Sequence, residues 1–184
     1  MIFKSLDTAS GKEEETEIRN VVSNDVTSFI QTWVTFYINI ILKQPDFKYR
    51  LFPWDKIIGL SFTLGSKYKC FSAVTGERLD GLISLQRNGS LYIAYIATAP
   101  WNYYTIGKMR RIGLGLVYFT IKTSQYIGGG GEFTLMALSD AEEFYDKIGM
   151  VQTGNVANGV KEYHMTKQQS ELIVKDFKCH VVKD

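Results

Sequence analysis

Cysteine, proline, charge of one sign and long apolar runs are all scarce in this 184-residue sequence. The two cysteines, Cys70 and Cys179, are too few and too far apart for a disulfide framework or a thiolate zinc site. With 21 Lys and Arg against 19 Asp and Glu, the net charge is +2, well short of the basic excess that nucleic acid demands. The longest apolar stretch, Phe29–Leu42, is interrupted by Gln31, Thr32, Thr35 and Asn39. It falls short of the roughly 20 residues that a membrane span requires. The chain opens without a signal-peptide apolar stretch and soon reaches the acidic run Glu13–Glu17. These absences predict a soluble, cytoplasmic protein with no structural metal, no nucleic-acid partner and no membrane partner.

What is present supports a packed core. Hydrophobic residues make up 45% and charged residues 22%, which excludes a disordered or low-complexity chain. The length suits one domain spanning residues 1–184. Glu17–Ser23 carries β-branched residues and is expected to form an edge strand. Phe29, Ile30, Trp33, Val34, Tyr37, Ile38 and Ile41 recur at helical spacing, predicting a helix over Phe29–Leu42. A short helix is expected around Trp54–Leu60. Strands follow at Tyr68–Thr75, Leu79–Gln86 and Leu91–Thr98, the last two joined at Asn88-Gly89, a strong hairpin signal. Leu114, Val117, Tyr118 and Ile121 share one face of a helix that ends at Gly128–Gly131. Glu132–Leu138 reads as an interior strand. Ser139-Asp140-Ala141-Glu142 has the form of a capping box, so a helix is expected from Asp140 to Gly149. Lys161–Thr166 is the last expected strand, followed by a polar helical tail. The pattern defines an α+β fold with a mixed sheet.

The segment Arg110-Arg111-Ile112-Gly113-Leu114-Gly115, between strand and helix, carries the most chemistry. Its glycines allow close backbone approach, and the first helical N–H groups lack internal partners. With the helix dipole they form an anion site suited to phosphate or diphosphate, and Lys108, Arg110 and Arg111 add positive charge. No Gly-Lys-Ser/Thr follows, so this is not a P-loop, and the antiparallel strands before it do not suit a dinucleotide fold. The same glycines would also serve tight helix–strand packing. In Ala141–Met150, a short amphipathic helix, Phe144 and Ile148 are expected to face the core, with the Tyr145 hydroxyl at the surface.

In order and spacing, these pieces resemble the GNAT superfamily of acyl-CoA-dependent N-acyltransferases. The resemblance covers about Lys69 to Thr166. It rests on the strand ending Ala97-Thr98-Ala99-Pro100, the R-x-x-G-x-G at Arg110–Gly115, and the A-x-x-F-Y-x-K-x-G at Ala141–Gly149, where Met150 replaces the usual Phe. It implies a central, twisted, mostly antiparallel sheet flanked by helices and splayed between strands 92–98 and 133–138. It further implies acetyl-CoA as cosubstrate, with the backbone of Arg110, Arg111, Ile112, Gly113, Leu114, Gly115 and Leu116 around its diphosphate. A backbone N–H near Ile96, Ala97 or Thr98 would hold the acyl carbonyl, and Tyr145 would face the departing sulfur. Residues 1–66 would form the acceptor side, 67–166 the coenzyme-binding core and 167–184 a tail. The other partner would be an amine acceptor, small molecule or protein; the family is often dimeric, and the sequence marks no interface.

Four departures bear on activity. Ala97 stands where family members often carry a carboxylate base, leaving His164, Glu162 and Asp80 as weak candidates for that role. Leu138 replaces a frequent Asn, and Arg111 occupies a position commonly held by Gly. The segment Trp101–Met109 is longer than usual and aromatic, as suits a surface loop or a lid over substrate. Two alternatives therefore stand beside an active transferase: an idle acyl-CoA-binding module, and a coenzyme-free interaction domain using Phe29–Leu42, the aromatic loop and Glu13–Glu17.

Overall fold

The computed structural model describes residues 1–40, 43, 51–63, 65–104 and 109–183. The chain begins with a hairpin, β1 (Ile2–Asp7) and β2 (Glu13–Asn20). Helix α1 (Ser23–Ser28) runs into a π-helical segment, Phe29–Val34, and then α2 (Thr35–Asn39). After α3 (Trp54–Ser61) comes the meander β3 (Tyr68–Thr75), β4 (Arg78–Asn88) and β5 (Ser90–Thr98). A short α4 (Trp101–Tyr104) and the two-residue β6 (Met109–Arg110) lead to the long α5 (Ile112–Tyr126). The remainder is β7 (Phe133–Ala137), α6 (Glu142–Lys147), β8 (Val151–Ala157), β9 (Val160–Met165), α7 (Lys167–Phe177), a 3-10 turn and β10 (Val181–Lys183).

Among the described residues one sheet runs in the order β10-β1-β2-β3-β4-β5-β7-β9-β8, with β6 paired to β1. Every pairing is antiparallel except β5 with β7. Side chains alternate between the two faces, and each face carries its own apolar cluster. Ile83, Leu85 and Ile93 pack with Leu116, Tyr118 and Ile121 of α5. On the other face Leu79 and Leu82 pack with Phe29, Trp33, Trp54 and Ile58.

The first helix differs from expectation in start and register. It begins at Ser23 because Asp25 accepts the Val22 N–H (2.9 Å). Asp25 is also gripped by both Arg19 guanidinium nitrogens (2.8 Å each) and by the Ser72 hydroxyl (3.0 Å). The π register places Phe29 and Trp33 inward, while Ile30 and Ile38, expected on the buried face, are exposed. Ile41 and Leu42 of the expected helix lie outside the described residues. β2 begins at Glu13, so the acidic run is strand: Glu13 meets Arg111 (2.7 Å) and Glu14 meets Arg78 (3.5 Å). The expected capping box does not form; α6 starts at Glu142 with Ala141 as its N-cap. Cys70 and Cys179 are free thiols, the first buried and the second exposed. No helix among the described residues is long and apolar enough to cross a membrane.

Asp80, wholly buried on β4, ties the sheet to the turn after β5. Its carbonyl accepts the Ala99 N–H (2.9 Å), and its carboxylate accepts from Arg78 Nε (2.8 and 3.1 Å) and Trp101 Nε1 (3.4 Å). Burial outweighs these partners and pushes its carboxyl above its ordinary value of 3.8. The unfolded chain therefore loses this proton at a lower pH than the folded one. Between the two values the folded state binds more protons, so stability falls as pH rises through the folded value. Urea midpoints measured from pH 3.5 upward should show the wild type losing stability relative to Asp80→Asn over that window. A pH-independent difference would mean that Asp80 titrates alike in both states.

Candidate functional site

The sheet splits where β5 and β7 part company. Their parallel ladder contains only Tyr92↔Thr134 and Ile93↔Leu135. On its other side β5 stays paired to β4 as far as Thr98, but with a register shift: Ser84 faces Tyr95 and Leu85 faces Ile93, leaving Ala94 bulged. A bulge bends and twists its strand, which carries Ile96–Thr98 away from β7. It also reverses the alternation, so that Ile96 packs with the α5-side cluster and Tyr95 with the opposite one. The N–H and C=O groups of β5 that face away from β4 beyond Ile93 have no ladder to β7.

Two voids meet in this split. A cavity of about 410 Å³ is lined by Ile96, Ala97, Thr98, Arg111, Ile112, Gly113 and Tyr145, together with Asn102 and residues of α6 and the turn before it. A narrower slot of about 60 Å³ is lined by Phe52, Ala94, Tyr95, Met136, Leu138 and Tyr145, among others. Phe52 and Tyr95 belong to the α3-side cluster, whereas Ala141 and Tyr145 pack on the α5 side. The slot therefore passes through the sheet. Ile96, Ala141 and Tyr145 line both voids.

Helix α5 points its N-terminus at the larger cavity. Helix geometry leaves the N–H groups of Ile112, Gly113 and Leu114 without intrahelical carbonyls. A Cβ on Gly113 would lie 3.6 Å from Phe144 and 3.8 Å from Thr98, both cavity-lining, so the missing side chain leaves that backbone approachable. The amides expected around a diphosphate are narrower in extent than Arg111–Leu116. Gly115 N–H already donates to the Arg111 carbonyl (2.7 Å), Leu116 is fully buried in the core, and none of Leu114, Gly115 and Leu116 lines the cavity.

Arg111, the N-cap, is left-handed at φ 77°, a conformation that glycine adopts freely and other residues adopt with strain. Its guanidinium bonds Glu13 (2.7 Å), which holds the Glu13 carboxyl below its ordinary value. Lys147 at the cavity is likewise paired with Glu143 (2.7 Å). Both cations are thus paired with carboxylates, and among the described residues the helix N-terminus is the main positive feature left at the cavity. Lys108 and the side chains of Arg110, Tyr103 and Tyr104 lie outside the described residues. Of the segment expected to be a surface loop or a lid, Trp101–Met109, the described residues are α4 at its start and Met109 at the head of β6.

Tyr145 is buried at 4% exposure, not at the surface. Its ring lies 5.3 Å from Phe144 and 5.7 Å from Tyr163. The three base candidates separate. Asp80 lines neither void and is committed to Arg78 and Trp101. His164 lines a different cavity, of about 490 Å³, with Gly89, Gly128 and Glu132, and its Nε2 is 3.7 Å from Glu132. Glu162 stands opposite Met136 in the β7–β9 ladder, on the far face of the sheet. Among the described residues no group of three or more His, Cys, Asp or Glu could hold a metal ion.

This architecture is that of the GNAT acetyltransferases. The PaiA N-acetyltransferase of Thermoplasma acidophilum, solved in complex with coenzyme A, matches 82% of this chain and 98% of its own at 19% identity (TM-score 0.54). A GNAT-family acetyltransferase from Staphylococcus aureus matches 83% and 99% at 14% identity (0.57). The ribosomal-protein-S18-alanine N-acetyltransferase of Escherichia coli matches 82% and 91% at 13% identity (0.51). The sequence matches no protein-family model and no curated protein. The likeness therefore lies in the fold.

Proposed function

We propose that residues 1–184 form one acetyl-CoA-dependent N-acetyltransferase domain whose acceptor is a primary amine, which attacks directly in a ternary complex. The observation that carries this is the meeting, at Tyr145, of a cavity headed by a helix N-terminus and a slot through the sheet. Bound acetyl-CoA would supply the electrophilic thioester carbon. The residues fit it: the open amides of Ile112 and Gly113 suit a diphosphate, and the edge of β5 that has no ladder to β7 suits an amide-bearing arm as it would a peptide. An N–H of Ile96–Thr98 would donate to the developing oxyanion. The Tyr145 phenol would donate a hydrogen bond to the departing sulfur. A phenol of pKa about 10 is a weaker acid than a thiol near 8.5, so complete proton transfer would be uphill by about 2 kcal/mol. Tyr145 thus acts first as a hydrogen-bond donor. Entry from opposite faces lets the sheet align both reactants without either crossing the other.

Calorimetric titration with coenzyme A should give one site per chain. Gly113→Glu, which sets a carboxylate among the open amides, should weaken that binding at least tenfold. Thiol release from acetyl-CoA should accompany a primary amine. Binding without release across a broad amine panel would favour an idle module, and no binding at all would favour the interaction domain.

A further inference from the structure

Resting on the acyl-transfer reading, we propose that Glu162 recognises a second positive charge on the acceptor, so that the preferred substrate is a diamine or longer polyamine rather than a monoamine. The slot opens on the far face of the sheet beside Phe52, Tyr95 and Met136. Glu162 is paired directly with Met136, one strand spacing of about 4.8 Å beyond the slot's rim and on the same face. Its carboxylate is held in place from β8. Oε2 accepts from Thr153 Oγ1 (2.6 Å) and Asn155 Nδ2 (2.7 Å), while Oε1 has no hydrogen-bond partner among the described residues. Glu13, Glu14, Asp25, Asp80 and Glu142 each meet an Arg or Lys. Glu162 meets neither among the described residues; two neutral donors orient it and leave an oxygen for a cation that none of the described residues supplies.

The position argues against the reacting nitrogen as that cation. The hydrogen bonds from Thr153 and Asn155 keep the Glu162 carboxyl below its ordinary 4.5, with a smaller contribution from His164 on the same strand. An ammonium near 10.4 would have to surrender its proton to a carboxyl whose ordinary value already lies about six pKa units lower. Held below its ordinary value, Glu162 is therefore suited to bind a nitrogen that stays charged rather than to take the proton of the reacting one. One strand away, the same carboxylate can anchor a distal ammonium while the near nitrogen enters the slot. Tyr92, whose phenol is pushed up by burial and then by the charge of Glu162, shares this face. With Tyr95 and Phe52 it offers aromatic surface for methylenes and for cation–π contact.

The test compares 1,4-diaminobutane with butylamine, in thiol-release kinetics and in calorimetric titration of each amine onto the protein saturated with coenzyme A. The wild type should favour the diamine at least tenfold in kcat/KM. In Glu162→Gln, which keeps the Thr153 and Asn155 contacts, that preference should fall at least tenfold, through KM rather than kcat, with a parallel loss of diamine affinity. Equal use of both amines by the wild type, or a ratio unchanged in the variant, would overturn the assignment while leaving acyl transfer standing. Diamine binding that depends on Glu162 without any thiol release would support the assignment and overturn acyl transfer.

Discussion

Tyr145→Phe is expected to lower kcat for thiol release from acetyl-CoA by roughly tenfold to a hundredfold while coenzyme A binds as before. A hydrogen bond to a charged or charging group contributes about 1.5–3 kcal/mol, and each 1.36 kcal/mol is a factor of about ten in rate. The loss would fall on kcat because the bond strengthens only as charge collects on sulfur. Packing should survive the change. The ring is 4% exposed and wedged between Phe144 and Tyr163, contacts that a phenylalanine repeats. Tyr163 itself is fixed, donating to Asp146 Oδ1 (3.1 Å) and accepting from Gln152 Nε2 (2.9 Å). Steady-state kinetics with a saturating amine, beside a coenzyme A titration, check both halves. Turnover within twofold of wild type would remove Tyr145 from the chemistry.

The parts of this fold that the sequence announces are those whose signals are local. Strands β3–β5 follow from alternation and from the Asn88-Gly89 turn, and α5 follows from one apolar face ended by glycines. β1 passes unnoticed because its inward Ser5 is polar. Its burial is satisfied by Thr16, which donates to it (2.7 Å), and by the Glu14 carbonyl, which accepts from it (3.2 Å); Thr16 in turn bonds Thr75 (2.8 Å), 59 residues further on. β8 is missed for a different reason. All seven of its residues are exposed, so no hydrophobic period marks it, and its ladder to β9 alone makes it a strand. That omission hides Glu162, because the two donors that orient its carboxylate sit on β8. Nor does Leu-Tyr-Ile-Ala-Tyr-Ile-Ala-Thr disclose that Ala94 is bulged, although the bulge decides which side chains reach the cavity. The motif glycines are visible as a pair, but their separate duties are not.

Those duties predict opposite outcomes for two similar substitutions. Gly115→Ala should destabilise the fold by about 1–3 kcal/mol, the range for overpacking a filled core. A Cβ there would lie between 2.5 and 2.9 Å from three atoms of the Phe3 ring. That ring has nowhere to go: Phe3 is fully buried and its ring lies tilted 5.5 Å from Phe177, which packs 5.1 Å from Tyr118 of α5 itself. Relief would require α5 to shift away from β1, and the helix N-terminus at the cavity would shift with it. Gly113→Ala meets only ordinary contacts at 3.6–3.9 Å, and its φ is not positive. Alanine is also the better helix former, so the fold should hold or gain slightly. Its methyl group, however, would stand over the amides offered to a diphosphate. Urea denaturation should therefore separate the two variants, with Gly115→Ala the less stable. Coenzyme A titration should also report weaker binding by Gly113→Ala under conditions where both proteins are folded. If Gly115→Ala is as stable as wild type, close packing is not what that glycine serves. An unaltered coenzyme A affinity in Gly113→Ala would mean that the diphosphate lies elsewhere than at the head of α5.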